Sequence, residues 1–183
     1  MRRHALPIAL VLPIVSGGVG CAPAKVPVSM PLPRAAPIEA RREDAAPGVV
    51  LTIDKSDRTL MVWSAGRLVR RIDGIQLGPS PTGPKRFEGD GRTPEGRYVI
   101  DWRNPRSAYH LSLHVSYPGP GDTAYARSFG RSAGGLIMIH GQPNGSDRRI
   151  AGDWTDGCIA LSNSQIEDLW DLVPDGATVE IEP

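Results

Sequence analysis

His140 and Cys158 are separated by an 18-residue step, and each sits where an apolar run meets a glycine: Leu136-Ile137-Met138-Ile139 leads into His140-Gly141, and Gly157-Cys158 leads into Ile159-Ala160-Leu161. A thiol becomes a strong nucleophile as its thiolate, so it needs a base nearby. Histidine is the side chain whose unperturbed pKa lies nearest neutrality. A cysteine and a histidine at the mouths of two strands therefore point to acyl transfer through a thioester. Gly157 lets the backbone turn sharply, so that the amides of Gly157 and Cys158 can face an oxyanion.

The chain has two cysteines, Cys21 and Cys158. Removal or lipidation of Cys21 leaves Cys158 as the one thiol of an exported protein, with no intramolecular disulfide to form. A lone thiol outside the cytoplasm is open to oxidation, and a catalytic use accounts for it better than an inert burial does. Export is read from the N-terminus: Met1-Arg2-Arg3 is basic, Ala5 to Val15 is largely apolar, and Ser16 to Gly20 is small. That stretch is shorter than the ~20 residues of a membrane span and is broken by Pro7 and Pro13. Residues 1–20 are thus expected to be a signal peptide. Cys21 follows small residues, which leaves two readings, a lipid anchor on Cys21 or ordinary cleavage nearby.

Prolines at 23, 27, 31, 33 and 37 make residues 21–46 an extended tether without a core, and residues 47–183 one catalytic domain. With 21 basic and 20 acidic residues, the chain has no global pull toward nucleic acid. Few aromatics beside abundant Gly and Pro favour strands joined by turns. Val49 to Ile53, Thr59 to Trp63 and Leu68 to Ile72 read as consecutive strands, and Ile75 to Leu77 as a short fourth. Arg97 to Asp101 and Tyr109 to Tyr117 read as further strands, and Ala177 to Ile181 as a closing one. Gly78 to Gly91, Pro118 to Gly135 and Gly141 to Asp156 read as long loops, with substrate contacts expected near the charges Lys85, Arg86, Glu88 and Asp90. Ile166, Leu169, Trp170 and Val173 form one helical stripe behind a Ser164/Glu167 capping box, with Trp170 in the core. The fold class is mainly β with one C-terminal helix. His110 and His114 share a strand face, but no motif supplies a third ligand, so neither a metal nor any cofactor is called for.

The segments Ile139-His140-Gly141 and Thr155-Asp156-Gly157-Cys158, with Lys55 to Leu60 and the turn Thr93-Pro94-Glu95-Gly96 upstream, resemble the signature of the L,D-transpeptidase catalytic domain (the YkuD family). The resemblance covers about Pro47 to Pro183 and implies a β-sandwich catalytic domain. It further implies Cys158 as nucleophile, His140 as base and the Gly141 carbonyl as the group that orients the imidazole. The implied substrate is a peptidoglycan stem peptide, cut after its third residue with loss of D-alanine and passed to an amine or to water in the cell envelope.

Two positions depart from the family pattern. Asp156 stands where His is frequent and Ala160 where Arg is frequent, a combination similar to a murein transpeptidase subgroup, some of whose members hydrolyse a crosslink to an envelope lipoprotein. A carboxylate beside Cys158 disfavours the thiolate, and the missing arginine removes a donor for a substrate carboxylate. Arg127, Arg131, Arg148 and Arg149 are the candidate replacements. Tyr125, Arg127, Arg131, Trp154 and Asp156 are the expected substrate-binding residues. The alternatives are a hydrolase of the same fold, a carboxypeptidase or an amidase, and a non-catalytic wall-binding module.

Overall fold

The computed structural model describes residues 48–146 and 148–183. The expected signal peptide (1–20), the tether (21–46) and Cys21 lie outside the described residues. In chain order the elements are β1 (Val49–Asp54), β2 (Thr59–Ser64), β3 (Arg67–Asp73), β4 (Gly96–Ser107), β5 (His110–Val115), α1 (Pro120–Ser128), β6 (Met138–His140), β7 (Ile159–Ala160), α2 (Asn163–Leu172) and β8 (Thr178–Glu182). No helix among the described residues is long and apolar enough to cross a membrane.

The strands form one curled eight-stranded sheet in the order β3-β2-β1-β8-β4-β5-β6-β7. The long strand β4 makes the connection: Gly96 to Val99 pair with β8, and Ile100 onward with β5. β1 and β2 alternate as period-2 sequences do, with Leu51, Ile53, Leu60 and Val62 fully buried. They join Ile139, Ile159, Ile166 and Leu169 in one apolar cluster. The run Ile75 to Leu77 forms a single bridge, Gln76 to Ala160, which covers the β7 edge.

The expectation of one helix is corrected by α1, which lies inside the segment read as a loop. Its start is set by Pro120 at the first turn and by the Asp122 carboxylate, which accepts the Gly119 N–H at 2.9 Å. Ala126 alone of its residues is buried, so no apolar stripe marks it in the sequence. The cap of α2 lies two residues before the expected one: Ser162 Oγ accepts from the Gln165 amide, and Gln165 Oε1 accepts from the Ser162 amide at 2.9 Å. Glu167, freed from capping, instead meets His110 Nε2 at 2.6 Å.

The loop from Gly78 to Gly91 also departs from expectation. Lys85 is buried and donates to Asp90 at 2.9 Å and to the Phe87 carbonyl at 3.1 Å. Asp90 in turn accepts from the amides of Arg86, Phe87 and Arg92. These backbone donors and Lys85 hold its carboxyl below the usual range despite the opposing cost of burial. Lys85 and Asp90 are therefore structural, because a buried charge must be paired.

Candidate active site

β6 and β7 are parallel neighbours, with Ile139 opposite Ile159 and His140 opposite Ala160. Cys158, immediately before β7, thus arrives beside the strand that ends in His140. The two side chains line one cavity of about 250 Å³, walled also by Ser107, Tyr109, Ser112, Leu136, Met138, Trp154, Thr155 and Asp156.

Gly157 makes the turn before the thiol. Its φ is +117°, and a Cβ there would stand 2.3 Å from the Arg92 carbonyl oxygen, so both conformation and space require glycine. Thr93 Oγ1 donates to the Gly157 carbonyl at 2.9 Å, while Thr155 Oγ1 donates to the Cys158 carbonyl at 2.7 Å. The Gly157 amide donates to Thr155 Oγ1 at 3.3 Å, so one of the two expected oxyanion donors already has an internal partner. Behind Thr93, buried Lys55 donates to Glu95 at 2.7 Å, to the Gly83 carbonyl at 2.8 Å and to the Thr93 carbonyl at 3.4 Å. Three separate sequence segments, around Lys55, Thr93 and Gly157, are thus one hydrogen-bonded support for the thiol.

His140 Nδ1 lies 2.7 Å from the Gly141 carbonyl oxygen. A carbonyl only accepts, so Nδ1 carries the proton and Nε2 is the basic nitrogen. The Gly141 amide donates to the Tyr109 carbonyl at 3.0 Å, and a side chain at 141 would meet Asn163 Oδ1 at 2.7 Å. Tyr109 and Trp154 flank the imidazole, with ring centroids 4.7 and 5.6 Å away. Burial pushes the His140 pKa below its ordinary 6.5 and outweighs the Gly141 hydrogen bond. Burial, aided by Asp156, pushes the Cys158 thiol above its ordinary 9.0, against the Met138 amide and Lys85. Both shifts favour a resting neutral pair over a preformed thiolate and imidazolium.

Trp154 is held by a polar hub. Gln76 Oε1 accepts from Trp154 Nε1 at 3.4 Å and from Arg149 Nε at 3.0 Å, and Gln76 Nε2 donates to the carbonyls of Ile150 and Gly152. Gln142, also buried, donates to the Leu161 carbonyl at 2.6 Å and accepts the Ile150 amide at 2.8 Å. Arg58 completes the brace through two bonds to Asp153, at 2.9 and 2.7 Å.

Of the expected substrate-binding residues, Trp154 and Asp156 line the cavity. Tyr125 and Arg131 belong to a different cluster: Tyr125 packs against Phe129, and Arg131 lies 3.9 Å over Phe87. Arg127 is exposed at the end of α1, and Arg148 is exposed in the loop before the thiol. Arg149 lines a separate, open cavity of about 450 Å³ with Arg58. Ala160 is fully buried and paired through its backbone with Gln76, so position 160 presents no cation to the cavity. Sequence reasoning missed Ser107, Tyr109, Ser112 and Thr155. For Thr155 a signal existed, since it stands three residues before the thiol; the wall residues of β4, β5 and the turn between them carry none.

The L,D-transpeptidase catalytic domain model matches residues 48–181. YafK of Escherichia coli (strain K12), named as a candidate L,D-transpeptidase, is 30% identical over 192 aligned residues, covering 100% of this chain and 68% of that protein. The helical cell shape determining protein Pgp2 from Campylobacter jejuni superposes with a TM-score of 0.61 at 31% identity, covering 74% of this chain and 47% of that one. Bd1075 of Bdellovibrio bacteriovorus, at 24% identity and TM-score 0.53 over 73% of this chain and 47% of that one, shares the fold. The chain therefore spans under half the length of these two solved structures. Such a match over nearly all of the described residues, on a cavity that joins the histidine and cysteine of the pattern, leaves one conclusion: this chain belongs to the YkuD family of L,D-transpeptidase catalytic domains.

Proposed function

We propose that the domain transfers the acyl group of a peptidoglycan stem peptide through a thioester on Cys158. His140 Nε2 takes the thiol proton as sulfur attacks the carbonyl of the third stem residue. The carbon–nitrogen bond then breaks, and the departing D-alanine amine leaves with the proton from His140. An amine of a second stem, or water, attacks the thioester, gives its proton to His140 and restores the thiol. The Cys158 amide is the leading donor to the oxyanion, since the Gly157 amide is already engaged.

The observation that carries this reading is the orientation of His140, whose committed Nδ1 leaves Nε2 as the base on the cavity it shares with Cys158. The resting neutral pair makes His140 a general base that acts as the substrate arrives. Family membership supports the substrate class, and the cell-shape role in the name of Pgp2 fits remodelling of the wall. An envelope location follows from the same substrate.

Water as acceptor is the second reading. Position 160 offers no guanidinium and Asp156 adds a negative charge, so the described cavity lining holds no cation that would clamp a second stem's carboxylate. Incubating the protein with disaccharide-tetrapeptides and resolving the products by mass spectrometry separates the readings. A crosslinked dimer identifies transpeptidation, a tripeptide identifies hydrolysis, and unchanged substrate with wild-type protein refutes both.

A further inference from the structure

β4 and β5 carry a feature that the thiol chemistry leaves unused. Along β5, Leu111, Leu113 and Val115 face the apolar cluster, while Ser112, on the other face, lines the thiol cavity. His114 is two residues on and so shares the face of Ser112. It stands opposite Met138, another cavity residue, on one side and opposite Trp102 on the other. Met138, His114 and Trp102 therefore run in register from the cavity wall across three strands.

The register is engineered by a bulge. Ile100 and Trp102 oppose Val115 and His114, two steps along β4 for one along β5, so Asp101 is an extra residue. The bulge lets neighbouring residues of β4 reach the same imidazole. Asp101 Oδ1 accepts from His114 Nδ1 at 2.5 Å, while the Trp102 indole stacks on the ring at 4.7 Å and 16°. Trp102 is 40% exposed, so its indole is fixed on one face and offers the other as a flat apolar surface. The Asp101 side chain is also 40% exposed, which leaves its carboxylate accessible to a ligand hydroxyl or amide.

Distance selects the ligand. Two strand spacings separate Met138 from Trp102, about 10 Å. Three extended residues span roughly the same length. With the third stem residue attacked at the cavity, the start of the stem, where it joins the glycan, reaches Trp102. We propose that Trp102, held by His114 and Asp101, is a subsite for the N-acetylated sugar that bears the donor stem. It rests on the stem-peptide reading above. The exposed indole face meets the C–H face of a pyranose, and Asp101 accepts from a hydroxyl or acetamido N–H.

The test is calorimetric titration of the full chain carrying Cys158→Ser, to prevent turnover, with a free tetrapeptide and with the same peptide on its disaccharide. The disaccharide-peptide is expected to bind about tenfold tighter. Adding Trp102→Ala should bring the ratio of the two Kd values to about one, and Trp102→Phe should preserve most of it. A ratio that ignores Trp102, the absence of any disaccharide advantage, or no binding of either probe overturns the subsite. Turnover of the disaccharide-tetrapeptide by the wild-type chain reports separately on acyl transfer. Its absence beside Trp102-dependent disaccharide binding refutes that reading and leaves the subsite standing.

Discussion

In the half of the sheet built from β3, β2, β1 and β8, the central strands pair over nearly their whole length and bury alternate residues such as Leu51, Ile53, Val179 and Ile181. The half built from the end of β4, β5, β6 and β7 has strands as short as Ile159–Ala160, two register shifts between β4 and β5, and positive φ at His110, Leu136 and Gly157. Every side chain of the candidate site sits in or beside this second half. Regular pairing satisfies the backbone and exhausts it. Irregular backbone turns side chains and carbonyls toward a cavity, provided that neighbouring groups hold it in place.

That contrast predicts which changes separate activity from stability. Replacing Cys158 with alanine should abolish turnover, by ~10³-fold or more, while the melting temperature stays near wild type; product analysis beside a thermal melt checks both. Gly157→Ala should damage both, because the φ of +117° is strained for alanine and its Cβ would meet the Arg92 carbonyl. A loss of ~10²-fold in turnover with about 1–3 kcal/mol in urea unfolding is expected.

The regular half should behave oppositely. Leu51→Ala removes a fully buried side chain and should cost about 2–5 kcal/mol, with kcat per folded molecule close to wild type. Equal losses of kcat in both halves would erase the distinction. A smaller effect is expected for Gln76→Ala, which unties Trp154 and the carbonyls of Ile150 and Gly152. It should speed proteolysis within the segment before Cys158 and lower turnover by about tenfold.

The mildest change is Asp156→Asn. Asp156 helps to raise the Cys158 pKa, so removing its charge lowers that pKa and increases the thiolate fraction at any pH beneath it. Iodoacetamide labelling at pH 8 should therefore accelerate by roughly two- to fivefold. Wild-type labelling should be slow at neutral pH, since burial opposes the thiolate, and should climb beyond pH 9. Unchanged labelling in the variant would place the carboxylate too far from the sulfur to act.

Legibility follows the same division. β1 and β2 were readable because period-2 burial is written in consecutive residues, and the end of α2 because Pro174 follows Val173 at its cap. Leu136 misleads for the same reason: it extends an apolar run, yet its φ is +54° and it is 71% exposed at the cavity rim. The arginines expected to replace the missing guanidinium lie in the segments read as long loops before Cys158. Arg149 is instead consumed by Gln76, 73 positions away.

The order of glycines, apolar runs and the two reactive side chains determines, without coordinates, a mainly β domain and the kind of chemistry to look for. Those signals are local, because backbone conformation and side-chain periodicity are set over a few neighbouring residues. Tertiary structure alone decided that Lys55 and Lys85 are buried supports, that β4 and β5 wall the cavity, and that a bulge brings Trp102 and Asp101 onto one histidine. Each of these depends on partners distant along the chain, and burial with pairing, rather than residue type, determines whether a charge or an aromatic ring serves the fold or the site.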